Sequence, residues 1–445
     1  MYLHGTSRVN EHGHLEIGGV DTTELTSKFG TPLYVFDEQL MRETMRAYKS
    51  AWDATGLRYE VAYASKAFCT LAMCRIVAEE GLALDVVSGG ELHTALKANF
   101  PSERIHFHGN NKTPDEIEQA LNAGIGAFVV DNFHELALLG ALAVEKGVVA
   151  DILLRLSPGV EVHTHEYIST GQEDSKFGFD LQSGAAQQAI QLSLQTKGVR
   201  LVGLHSHIGS QIFETEGFKH AIDIVGNLFA QAVKEWGAKD LSVLNVGGGF
   251  GIRYTEGDTP LQVQQYIEAI AEGVKATFDS LGLAHPEVVI EPGRSIVGNA
   301  GTTLYTVGSS KNIPGVRKYV SVNGGMSDNP RPALYQAVYE AMLANRATEE
   351  PTEVVSIAGK ACESGDMLIW DAKLPEVQAG DILAVSCTGA YNYSMASNYN
   401  RIARPAVVFV QNGVADVVVK RESFDDLVSL DVVPARLMDG VLSQS

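Results

Sequence analysis

The chain has 445 residues, 45% hydrophobic and 20% charged, with a formal net charge of −20. This composition allows a large core and two domains, and the acidic balance disfavours nucleic acid or an anionic membrane surface as main partner. Cys69, Cys74, Cys362 and Cys387 show no Cys-x-x-Cys spacing, which disfavours a zinc site or disulfide framework and fits a reducing cytoplasm.

Residues 1–14 mix charge and histidine without the apolar stretch of a secretory signal, and no run further on has the length of a membrane span. Leu33–Phe36 reads as a strand that precedes the main repeat and is expected to pack with the C-terminal region. From residue 59 onward, short apolar and β-branched runs alternate with amphipathic stretches. Strands are predicted at Tyr59–Ala64, Leu82–Val87, Arg104–Phe107, Gly126–Val130, Asp151–Leu156, Leu201–Leu204, Leu241–Val246 and Glu287–Ile290. Helices are predicted between several of them, at Thr113–Asn122, Asn132–Glu145 and Phe218–Trp236. Strands lacking polar alternation are covered on both faces, as in parallel sheets, and eight such units favour a (β/α)8 barrel over a doubly wound sheet.

Polar residues gather where the runs end: Lys66, Ser88, His108, Asn110, Arg155, His205 and His207. The C-terminal face of a barrel carries its chemistry. Ser157–Phe179 is polar and rich in Gly and His, a functional loop and the candidate for a moving segment. After about residue 300 the pattern changes to strand-like runs at Tyr319–Val322, Val354–Ile357, Ile382–Ser386 and Ala406–Phe409, with a helix expected over Pro332–Asn345. The expected division is a barrel over 37–295 and a mostly β domain built from 1–36 and 296–445.

Lys66 closes the first run, in Tyr63-Ala64-Ser65-Lys66-Ala67. An amine in a barrel mouth becomes a nucleophile toward aldehydes when burial or a nearby cation lowers its proton affinity; a plain ion-paired lysine is the alternative. Gly247-Gly248-Gly249 follows the seventh run, where glycines let backbone N–H groups approach a phosphate, or simply make a tight turn. Glu291-Pro292-Gly293-Arg294 ends the eighth run and offers a carboxylate for a pyridine nitrogen and a forked cation for phosphate, or a buried ion pair. His205 and His207 share a strand face, but no carboxylate or third histidine is nearby in sequence, so a metal site is not expected. His207 suits stacking on a ring, Ser210 suits a phosphate, and His205 reads as a core residue. Cys362-Glu363 lies in a Gly-containing loop, and Arg331, Tyr335 and Gly389-Ala390-Tyr391 mark further polar clusters.

In this order the segments resemble the fold-type III pyridoxal-phosphate (PLP) decarboxylases, which have an alanine racemase-like fold, and within them the branch acting on diaminopimelate. The resemblance also covers His108–Lys112, His163–Tyr167, Gly171–Gly178 and His207–Gln211, and so runs over nearly the whole chain. Phe68 stands where that family often has Asn. The resemblance implies a homodimer with active sites shared between subunits. It implies that Lys66 bonds to the cofactor aldehyde, His207 stacks on the ring and Glu291 pairs with its nitrogen. Ser210, Gly247–Gly249, Gly293, Arg294 and Tyr391 would hold the phosphate or lie beside it. Cys362 would donate a proton and Glu363 would bind the substrate ammonium, both from the partner chain. Arg294, Arg331, Tyr335 and Tyr391 would line the substrate's place. The implied reaction converts meso-2,6-diaminopimelate to L-lysine and carbon dioxide. Cys-Glu in place of Cys-Asp, together with Arg331, favours that substrate over ornithine. The competing readings are a related decarboxylase for ornithine, arginine or a D-amino acid, a racemase on the same barrel, and a non-enzyme of this fold, either a PLP carrier or a regulatory pseudo-decarboxylase.

Overall fold

A computed structural model describes residues 1–160 and 175–438. Eight parallel strands form the first sheet: β1 (Tyr59–Ala64), β2 (Ala83–Val86), β3 (Ile105–Phe107), β4 (Ala127–Val130), β5 (Ala150–Ser157), β6 (Val199–Ser206), β7 (Val243–Asn245) and β8 (Glu287–Ile290). Each pairs with the next in sequence, and β8 returns to β1 through Val288↔Tyr59, which closes a barrel. A strand has a side-chain period of two, so closure sorts each strand into an outer and an inner row. The outer row (Val61, Tyr63, Leu84, Phe107, Ile152, Leu244 and Ile290 among others) joins the helices in the main core. The inner row is smaller: Ala62, Ala83 and Val289 make one cluster, and Ala127, Val129 and Leu153 another. Gly203 belongs to this row, since a Cβ there would lie 2.8 Å from Leu153 and 2.9 Å from Val243.

Above these small residues the inner row turns polar. Register sets Ala64, Asp85 and His106 side by side, and sets Arg155, His205 and Asn245 side by side. Both rows sit just below the strand ends.

The second large sheet is built around the long strand Gly301–Ile313. That strand pairs antiparallel with Leu33–Asp37, Arg317–Val322 and Ile382–Ser386. Leu33–Asp37 also pairs, in parallel, with Ala406–Gln411, so the N-terminal strand does join the C-terminal region. The helix expected over Pro332–Asn345 is shorter. It spans Arg331–Tyr335 and stops at Gln336, whose φ of 54° is left-handed. Ala341–Leu343 is instead a strand paired with Ile382–Ser386, because a free sheet edge outweighs the local helix preference of Ala-Met-Leu. Among the described residues no helix is long and apolar enough to cross a membrane.

Candidate active site

The C-terminal ends of the barrel strands open into a cavity of about 450 Å³. Lys66, His207, Ser210, Gly249, Glu291 and Gly293 line it, together with Arg294, Arg331, Tyr335 and Tyr391. Cys362 and Glu363 do not line it; they are exposed on a loop whose Cys362 N–H donates to Asn398's neighbour two positions on, Asn400, at 2.8 Å.

Lys66 lies on a single turn, Ser65–Ala67, that is fixed from both sides. The Ser65 hydroxyl donates to the Asp85 carbonyl at 2.6 Å. The Ala67 carbonyl accepts from the Tyr391 N–H at 2.9 Å and the Ser394 hydroxyl at 3.0 Å. With its backbone pinned, the Lys66 side chain extends into the cavity.

Glu291 is the centre of the polar layer. Its Oε1 accepts from Asn245 Nδ2 at 2.6 Å and lies 3.1 Å from His108 Nε2, while Oε2 lies 3.2 Å from His205 Nε2. Burial pushes this carboxyl up, but the ion-pair contact with His108 and the hydrogen bonds from His205 and Asn245 outweigh it and hold the group well below the usual carboxylate range. Burial pushes His108 down, and the Glu291 and Asp85 carboxylates more than reverse that, which favours its charged form. Burial dominates at His205, which stays neutral. The expectation that His205 has no carboxylate or third histidine near it is therefore corrected, because β3 and β8 bring His108 and Glu291 to it. The three ligand atoms fall within 4.8 Å of one another. A charged His108 opposes a metal cation there and makes the carboxylate an ion-pair partner instead.

His207 stands over this layer. Burial, Lys66 and Arg155 drive its proton affinity well below the ordinary value, and its Nδ1 accepts from the Gly248 N–H at 3.3 Å. A neutral, oriented imidazole face suits an aromatic ring. The triple glycine is required by contact as well as by conformation. A Cβ on Gly247 would lie 2.6 Å from the Ser206 carbonyl oxygen, on Gly248 2.1 Å from that of Glu291, and on Gly249 2.3 Å from that of Gly209.

Two guanidinium groups converge on the far wall. Arg294 Nη1 donates to the Tyr254 hydroxyl at 2.7 Å and Nη2 to Ser210 Oγ at 2.9 Å. Arg331 Nη1 donates to the same Tyr254 oxygen at 3.0 Å and to the Tyr339 hydroxyl at 2.8 Å. Both cations also lie over the Tyr391 ring, at 5.0 and 5.9 Å from its centre. Two buried like charges this close favour an anion between or beside them.

Sequence reasoning missed Tyr254, Tyr339, Asp85, His106 and Asn245. The last three left a trace, since each interrupts an apolar strand at an inward position; the two tyrosines left none. His163–Tyr167 and Gly171–Asp174 lie outside the described residues. Lys176 and Phe177, at the end of that loop, line the cavity, and the Arg155 guanidinium lies 4.4 Å over the Phe177 ring.

The donor set fits PLP. It offers an amine for the aldehyde, an ionised carboxylate for a ring nitrogen, and a neutral imidazole for a ring face. A side-chain-free glycine turn with Ser210 and Arg294 suits the phosphate.

Comparison with known proteins gives the same reading. Residues 38–298 match the family described as pyridoxal-dependent decarboxylase, pyridoxal binding domain. Diaminopimelate decarboxylase of Bacillus subtilis (strain 168) is 60% identical over 437 residues, covering 97% of this chain and 98% of that protein. The Staphylococcus aureus (strain COL) protein of the same name is 50% identical, covering 96% and 99%. The crystal structure of diaminopimelate decarboxylase from M. jannaschii in complex with L-lysine superposes with a TM-score of 0.91 at 38% identity, covering 97% of this chain and 99% of that one. The closed barrel, the lysine and carboxylate at its mouth and these similarities together place the chain in the family of pyridoxal-dependent decarboxylases.

Proposed function

We infer that the protein removes one carboxyl group from meso-2,6-diaminopimelate to give L-lysine and carbon dioxide, the last step of lysine biosynthesis, with PLP as its cofactor. The observation that carries this reading is one cavity holding Lys66, Glu291 and the Arg294–Arg331 pair, in a chain so similar to diaminopimelate decarboxylases. When bound, PLP supplies an electron-poor ring that takes up the charge left by the departing carboxylate.

The chain's own residues bind, orient and move protons. Lys66 Nζ would hold the cofactor by its aldehyde. Glu291 would pair with the ring nitrogen, and His207 would support the ring face. The Gly247–Gly249 turn, Ser210, Gly293, Arg294 and Tyr391 hold the phosphate end. Arg331 and Tyr335, with Arg294 and Tyr391 beside them, receive the substrate's distal carboxylate. This pairing of two charged ends separates diaminopimelate from ornithine, which has no distal carboxylate to satisfy them.

A homodimer completes the site. Cys362 and Glu363 are exposed and lie outside their own chain's cavity, which supports their delivery to a neighbouring one. There, Cys362 of the partner subunit returns a proton to the decarboxylated carbon, and Glu363 of the partner subunit takes the distal ammonium. Positioned proton transfer of this kind contributes roughly 10²–10⁴-fold. We assign the cofactor-binding unit to residues 37–295 and the interface-forming β domain to 1–36 and 296–445. Free cysteines throughout favour the cytoplasm.

The test is carbon dioxide release from meso-diaminopimelate, with and without added PLP, beside ornithine, arginine and a D-amino acid. Lysine and gas should appear in equal amounts, with the other substrates slower by at least about tenfold. Faster turnover of ornithine, or racemised substrate without gas, overturns the assignment. Lys66→Ala should lose both activity and the visible band of the bound cofactor.

A further inference from the structure

Behind Glu291 the polar layer continues as a chain of side chains drawn from separate strands. Asp85 Oδ1, from β2, lies 3.5 Å from His108 Nε2 and 3.6 Å from His106 Nδ1. His106, from β3, places its Nε2 3.0 Å from Glu60 Oε1 of β1. The sequence Glu291, His108, Asp85, His106, Glu60 thus alternates acid and imidazole from the cavity floor down through the barrel. His106, His108 and Asp85 are all buried, at 8%, 6% and 4% exposure. None of these groups except Glu291 has a part in the chemistry described above.

We propose, on the placement of Glu291 given above, that His108 is a positioning residue for the reaction, its cationic form seated between Glu291 and Asp85 so that the proton shared between Glu291 and the cofactor's ring nitrogen stays on the nitrogen. The geometry sets the sign. His108 Nε2 is in ion-pair contact with Glu291 Oε1 at 3.1 Å, so its charge acts at closest range on the carboxylate. A nearer cation makes the carboxylate the poorer proton acceptor of the two. The remaining groups facing Glu291 do not replace it. His205 and His207 are neutral, Asn245 is an uncharged donor, and Arg155 of β5 forms no ion pair with the carboxylate. Without His108, burial is the dominant influence on Glu291 and favours its neutral form.

The experiment uses the full-length holoenzyme and His108→Gln, which keeps a polar side chain but no charge. Each is reconstituted with PLP labelled with ¹⁵N in the ring, and separately with an analogue carrying C–H in place of the ring nitrogen. In His108→Gln the ¹⁵N signal should move from the pyridinium position toward neutral pyridine. The ratio of turnover with PLP to turnover with the analogue should fall about tenfold, the equivalent of one pKa unit. A packing defect lowers both turnovers together and leaves the ratio alone, so an unchanged ratio with an unmoved signal overturns the proposal. Asp85→Asn, one step further down, removes the second carboxylate beside His108 and should shift the same signal less; it serves if His108→Gln does not hold cofactor, and no shift in it is then an overturning result. Glu291→Gln separates the two layers of the reading. If the signal stays at the pyridinium position in that variant, Glu291 does not face the nitrogen, and the proposal falls with that assignment.

Discussion

Two buried carboxyl groups in this chain are driven in opposite directions, because what faces each one differs. Glu291 meets two imidazoles and an amide and is held ionised despite burial. Asp328 is 1% exposed, accepts from the Tyr305 hydroxyl at 2.5 Å and the Gly325 N–H at 2.9 Å, and has the like-charged Asp366 nearby. Burial pushes it from 3.8 up to about 7, and the two hydrogen bonds do not reverse the rise. A group with a raised folded-state pKa favours folding fully below its unfolded value and loses that contribution as pH rises through the folded value. The window for Asp328 therefore runs from about pH 4 to about pH 7. Across it the wild type should lose on the order of 2–4 kcal/mol that Asp328→Asn does not. Thermal midpoints of both proteins from pH 4.5 to 8 measure this, as rough limits set by the same two pKa values. Curves that stay parallel would mean that Asp328 does not titrate in the window.

At the scale of elements, one loop ties both halves of the structure to Lys66. Thr388 N–H donates to the Gly301 carbonyl at 2.9 Å, Gly389 N–H to that of Gly298 at 3.2 Å, and Tyr391 N–H to that of Ala67 at 2.9 Å. The loop passes so close to the short helix Arg294–Val297 that a Cβ on Gly389 would lie 1.7 Å from the Val297 carbonyl oxygen. Gly389→Ala should therefore cost about 1–3 kcal/mol of stability and weaken cofactor retention on dialysis. Gly257→Ala, with nothing within 4 Å of the new atom, is the control and should behave as wild type. Full cofactor retention in Gly389→Ala would show that the loop can move without disturbing Lys66. The barrel strands were legible because both of their faces are buried, so an apolar run marks each one and its end marks the cavity. Gly301–Ile313 was not legible: its first half is buried and its second half exposed, and Thr302, Thr303 and Ser309 break any simple alternation. The strand at Ala341–Leu343 carries helix-forming residues and exists because Ile382–Ser386 offers an edge. The same limit applies to the site. Lys66 and Glu291 announce themselves at strand ends, whereas Tyr254 and Tyr339 matter only through the two arginines that chain folding brings to them.

At the scale of the whole molecule, the open question is what covers the cavity mouth. Leu334 and Val338 flank the segment that carries Tyr335 into the cavity, and they expose 59% and 64% of their surface. Cys362 and Glu363 are displayed on another part of the same chain. A two-fold pair of subunits would cover the first and supply the second, since an isologous contact presents each element to its partner twice. If so, defects in Lys66 and in Cys362 should complement each other. In a heterodimer of Lys66→Ala and Cys362→Ala chains, one site combines both defects. The other combines an intact Lys66 from one chain with an intact Cys362 from its partner. Random exchange at equal concentrations makes half the dimers mixed, each with one sound site of two, so a mixture should recover about a quarter of wild-type turnover. Each parent alone should remain far below that. Exchange is followed separately by native mass spectrometry of differently tagged chains. If mixed dimers form and turnover stays at the average of the two parents, the cysteine acts within its own subunit or not at all.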